Sequence, residues 1–180
     1  MHTQQQILAG IIIAGGAAVI ASYVHGFLTH PATRADVWGG VPRALRPVYV
    51  GSMLLAAAGY FAFTYFVLFV LDPDEVLLAD RFTFAVFPAL YAAILVPSAV
   101  WMPLTFALLA HPGRGLWLAV RVTLALTGVA SLALLAALLA LSPREPALAY
   151  WFAVGGAAAF CIQTAALDML VWPAFFGVRR

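Results

Sequence analysis

Five stretches of this chain, near residues 7–29, 47–71, 83–110, 115–141 and 147–176, are each apolar for long enough to cross a hydrocarbon core, which takes about 20 residues of helix. The segments between them are short and carry the helix breakers and most of the charge: THPATRADVWGGVPRALRP, LDPDEVLLADR, AHPGRG and SPREPA. The pattern predicts an all-α integral membrane protein, a bundle of five transmembrane helices forming a single domain over residues 1–180. Composition supports it. Of 180 residues, 65% are hydrophobic and 9% charged, against about 25% charged in an ordinary soluble domain. So few charges cannot cover a water-facing surface, which excludes soluble enzymes and soluble nucleic-acid binders.

The charges that exist are distributed unequally. There is no lysine, and the nine arginines form no basic stripe of the kind that tracks a phosphate backbone, so no nucleic-acid partner is expected. With five spans, Arg34, Arg43, Arg46, Arg114, Arg179 and Arg180 fall on one side of the membrane, with Arg121 just inside the fourth span from that side. The other side has Arg81 and Arg144 among Asp72, Asp74, Glu75, Asp80 and Glu145. Positive residues accumulate in cytoplasmic loops. The expected orientation therefore has the N-terminus outside and the C-terminus in the cytoplasm, in a bacterial inner membrane. The leading MHTQQQ lacks the positive flank and cleavage site of a signal peptide, so the first span is expected to be retained. The single cysteine, Cys161, excludes an intramolecular disulfide and a multi-cysteine metal site, and no metal ligand set is assigned.

Polar residues inside the spans converge on one depth. Asp168 lies about eight residues, roughly 12 Å, from the cytoplasmic end of the fifth span, and Arg121 about six residues, roughly 9 Å, into the fourth from the same side. Intramembrane acids face the bundle interior and pair, so an Asp168–Arg121 ion pair is expected. His25 lies about four residues, roughly 6 Å, from the same end of the first span, and His30 and His111 sit on adjoining loops. His25 reads either as a ligand-contacting or haem-ligating imidazole or as an interfacial side chain bonded to a carbonyl; bis-histidine haem would need a second buried His on a facing helix, and none exists.

Helical spacing places Cys161, Thr164, Asp168 and Trp172 on one stripe, Tyr91, Ser98, Trp101 and Thr105 on a second, and Tyr49, Ser52, Ala56 and Tyr60 on a third. Aromatic stripes of this kind serve packing and interfacial belts as well as ligand cages. Pro97 and Pro103 free backbone carbonyls and bend the third span near Trp101, which makes room for a pocket. Small residues recur in every span, as in GGAAVIAS and VGGAAAF, and let helices approach closely.

Three segments together resemble the TspO family, the tryptophan-rich sensory proteins and the mitochondrial translocator protein. After the first span, His30-Pro31, then Trp38-Gly-Gly-Val-Pro42 and Pro47-Val48-Tyr49, is similar to the family's K-P-x-W-x-P-P followed by P-V-W, with Tyr49 in place of the tryptophan. In the third span Ser98-Ala-Val-Trp101-Met-Pro103-Leu-Thr-Phe106 resembles N-x-x-W-[SP]-P-x-F-F. In the fifth, Leu167-Asp168-Met-Leu-Val171-Trp172 resembles L-N-x-x-[VI]-W, so both family asparagines are replaced, by Ser98 and Asp168. The resemblance covers roughly residues 30–172 and implies five helices around a cavity, capped by the long first loop, that binds porphyrins, haem or sterol-like lipophiles. It implies that Trp38 lies on the capping loop and that Trp101, Asp168 and Trp172 line or support the pocket, with His25 from the residue reading. Ser98, Pro103 and Arg121 are expected to support it.

The expected function is thus a membrane receptor or transporter for a lipophilic small molecule. The protein is expected to be a homodimer or part of a larger membrane complex, and two alternatives stand: a small structural transmembrane subunit of a larger membrane complex, and a membrane enzyme with Asp168 and His25 as acid and base. None of the HExxH, GxSxG, paired acidic magnesium or phosphate-loop signatures is present.

Overall fold

A computed structural model of the chain describes residues 2–79 and 81–176; Asp80, Arg179 and Arg180 lie outside them. Where the sequence is continuously apolar and free of breakers it is helical. Five helices are long and apolar enough to cross a membrane: α1 (Thr3–Thr29), α2 (Arg46–Val70), α3 (Val86–Ala110), α4 (Arg114–Leu139) and α5 (Ala147–Phe175). Pro47 opens the first turn of α2, where a missing N–H costs nothing, whereas Pro97 and Pro103 lie inside α3.

The helices pack in the cyclic order α1, α3, α4, α5, α2. The ring closes unevenly. At one end Gln5 Nε2 donates to the Leu71 carbonyl at 3.2 Å, and the His2 imidazole lies 3.8 Å from Asp72 and 3.4 Å from Asp74. Beyond that end α1 packs chiefly along α3.

The two halves of the molecule are built differently. The half containing the α1–α2 tie is an apolar core of Phe63, Phe66, Phe84, Phe87, Tyr91, Leu134, Leu138 and Tyr150, with the Tyr91 hydroxyl bonded to Thr64 at 3.0 Å and the Tyr60 and Tyr150 hydroxyls buried without a partner. It is closed by a short antiparallel ladder, β1 (Leu77–Leu78) against β2 (Leu141–Ser142). Arg144 donates to the Leu139 carbonyl at 2.8 Å, satisfying the last turn of α4. The ladder is not legible in the linker composition. Here α2 and α5 touch backbone to backbone at Gly59 and Gly156, where a Cβ on either would meet the other's main chain.

The other half is aromatic and polar, and the first loop lies across it. That loop carries a 3₁₀ turn, Asp36–Trp38, then Gly39 at φ 56°, a conformation glycine adopts without strain. Gly40 N–H donates to the Phe175 carbonyl at 2.9 Å, and the Trp172 indole donates to the Val37 carbonyl at 3.1 Å. Val37 and Val41 are buried beneath the loop. The loop is thus bonded to the end of α5.

Candidate functional site

The fifth helix departs from α-helical geometry where its polar residues lie. Residues Ile162–Val171 are π-helical, as is the stretch Phe66–Val70 at the end of α2. π-Helix is rare, occurs mostly as a single turn, and is frequent at functional sites; ten residues of it is long. Its i to i+5 register has a direct consequence. Gln163 Nε2 donates to the Asp168 carboxylate at 2.8 Å, while Thr164, which the α-helical stripe places below Asp168, bonds back to the Phe160 carbonyl instead.

Asp168, half-buried, has tyrosines of two other helices near it. The Tyr23 and Tyr49 hydroxyls lie within electrostatic range of its carboxyl, and the Tyr49 hydroxyl donates to the Leu167 carbonyl at 3.4 Å. Trp101 stands 5.8 Å from Tyr23 and 5.9 Å from Trp172, ring centre to ring centre. Trp172 continues through Phe176 at 4.4 Å to Trp117 at 5.6 Å. Trp38, on the loop, meets Tyr49 edge to face at 6.1 Å, with the Arg46 guanidinium 5.4 Å over its other side. Four of the residues expected at the site, Trp38, Trp101, Asp168 and Trp172, are therefore brought to one end of the bundle.

Two polar atoms at this site are buried without a hydrogen-bond partner: the indole Nε1 of Trp101 and Oε1 of Gln163. A buried unpaired donor or acceptor costs about 1–3 kcal/mol, and one left in a folded protein calls for a specific reason. They are one donor and one acceptor with no protein partner. Ser98 donates to the Ile94 carbonyl at 2.6 Å and lies within 3.5 Å of Thr127.

Three expectations are corrected. Arg121 does not pair with Asp168: it is exposed and its guanidinium lies 5.9 Å over the Trp117 ring, and among the described residues the only ion pairs are those of His2. Equal depth does not place two side chains on facing sides of their helices. His25 is also exposed. It lines a separate groove of about 300 Å³ between α1 and α3, with Ser22, His30, Phe106 and His111, in which His30 stacks on Phe106 at 4.4 Å. An Asp168–His25 acid–base pair is therefore not formed. Pro103 borders this same groove and is exposed, so it shapes α3 on the side away from Asp168.

Gln163 and Tyr23 are the site residues that sequence reading missed. Gln163 is the one amide within a span beyond the first turn of α1, a signal that was available; its pairing with Asp168 depends on the π-helix, which was not. At the opposite end, His2, Asp72 and Asp74 bring three ligand-type atoms within 4.8 Å of one another, all on exposed side chains.

Comparison of the chain with protein-family models, with curated proteins and with solved structures gave no match.

Proposed function

We propose that this chain is an integral membrane protein of TspO-like type, a receptor or transporter that holds a flat lipophilic molecule, tetrapyrrole-like or sterol-like in overall form, in a chamber between its helices at Asp168. The single observation that carries the reading is the Gln163 amide, which donates to the Asp168 carboxyl while its buried Oε1 has no partner, with Trp101 Nε1 also buried and unpartnered in the aromatic cluster around Trp172. Polar groups left open among aromatic walls are what a binding site for a mostly apolar ligand provides. The loop bonded over Trp172 and Val37 forms its lid. Arg34, Arg43, Arg46 and Arg114 lie on the lidded side, which on the positive-inside rule is the cytoplasmic face of a bacterial inner membrane.

Fluorescence of the purified protein in nanodiscs tests this. Protoporphyrin IX, haem, acridine and 9-aminoacridine are titrated separately. Saturable quenching by at least one of them, weakened in Trp101→Ala and Trp172→Ala but retained in Trp151→Phe, which alters an exposed ring, is the expected result. No saturable quenching by any of the four overturns the reading.

A second reading, a homodimer or a subunit of a larger complex, is favoured by one feature. Helix α1 is scarcely buried, and nothing lies against Gly10 or Gly16, so a second helix has room to pack closely there. Co-migration with a stoichiometric partner in mild detergent supports it; a monomer of about 19.2 kDa plus detergent excludes it.

A further inference from the structure

We infer that the molecule held at Asp168 is a lipophilic cation bearing N–H donors, an aromatic or polycyclic amine, rather than a carboxylate-bearing one; this rests on the chamber reading above. The acceptors at Asp168 are underused: its carboxyl has one bond, from Gln163, and Gln163 Oε1 has none.

Charge points the same way. No arginine among the described residues pairs with Asp168: Arg121 faces outward over Trp117, Arg46 lies over Trp38, and Arg144 is at the far end of the bundle. An intramembrane acid without a protein counter-ion is costly. A cationic ligand supplies that counter-ion, and the rings of Tyr23, Trp101 and Trp172 supply faces to which a cation is attracted. A ligand carboxylate placed there would meet like charge.

The test uses two dyes of nearly the same shape, 9-aminoacridine and acridine, at mildly alkaline pH, where the first is a cation with N–H donors and the second is neutral. Binding is read by tryptophan quenching in phosphatidylcholine nanodiscs, which offer no anionic lipid to the cation. The wild-type protein is expected to bind 9-aminoacridine about tenfold or more tightly than acridine. Asp168→Asn should bring the two within about twofold of each other, and Asp168→Glu should keep the preference. Equal affinities in the wild-type protein, or an undiminished preference in Asp168→Asn, overturn the inference. If Asp168→Asn does not fold, the wild-type comparison and Asp168→Glu decide. Acridine bound as tightly as the cation, with its quenching lost in Trp101→Ala, leaves the chamber standing while the cation inference fails; no saturable quenching by either dye overturns the inference, and overturns the chamber with it when protoporphyrin IX and haem also fail to quench.

Discussion

Gln163 reaches Asp168 across five residues of one helix, at 2.8 Å, because the helix between them is π-helical. In an α-helix the neighbours of Asp168 on the same face lie three and four residues away, and Gln163 would point elsewhere. The rare geometry and the one polar pair inside α5 therefore depend on each other. That coupling makes Gln163 the most informative position for separating stability from binding.

Gln163→Leu removes a hydrogen bond to a carboxyl, worth about 1.5–3 kcal/mol. It also removes a buried acceptor, Oε1, that has no partner and costs about 1–3 kcal/mol in the empty protein. The two nearly cancel. Thermal unfolding in detergent should change little, while dye affinity falls on the order of tenfold. A large loss of stability with unchanged binding would make Gln163 a purely structural residue.

The lid is held by one side-chain bond whose loss can be measured. Trp172→Phe keeps an aromatic ring but deletes the donor to the Val37 carbonyl, leaving a buried acceptor unpaired at a cost of about 1–3 kcal/mol. Limited trypsin digestion at Arg34 and Arg43 should accelerate on the order of tenfold, since cleavage tracks the population of opened loop. An unchanged cleavage rate would show that the loop is held by other contacts.

Helix contact between α2 and α5 has no slack. Gly59→Ala places a Cβ against the backbone of Gly156, which cannot yield as a flexible side chain would, and overpacking of this kind costs about 1–3 kcal/mol or more. Gly10→Ala meets nothing and should be neutral or stabilising by about 0.5–1 kcal/mol. Melting temperatures of the two variants should move apart; a Gly59→Ala protein as stable as the parent would disprove the close approach.

Orientation is checked by single cysteines on a Cys161→Ala background. In intact cells Glu75→Cys should react with an impermeant maleimide and Arg43→Cys only after permeabilisation, following the arginine distribution. The reverse pattern would invert the topology.

The five long helices were legible in the sequence because continuous apolar runs bounded by Pro, Gly and charge have one common outcome; α1, α3 and α4 end within a few residues of the runs that predict them. Trp38, Trp101 and Trp172 were grouped with Asp168 by the resemblance to the TspO family, whereas depth pointed only to Asp168, Arg121 and His25. Facing was not legible. Arg121 shares the depth of Asp168 but projects outward, and His25, two residues from Tyr23, falls on the other side of α1, because depth follows residue count while facing follows how each helix is turned by its neighbours. The π-helical register was also hidden, since nothing in IQTAALDMLV distinguishes five-residue from four-residue bonding.

Photolabelling tests the chamber most directly. An aryl diazirine carrying a primary amine is added to the protein in phosphatidylcholine nanodiscs, irradiated, and the adducts are located by mass spectrometry with and without excess 9-aminoacridine. The predicted result is competed labelling within residues 98–106 and 163–172, around Trp101 and Asp168. Labelling confined to outward residues such as Ile13, Ile20, Phe61 and Phe152, and insensitive to the competitor, would contradict it.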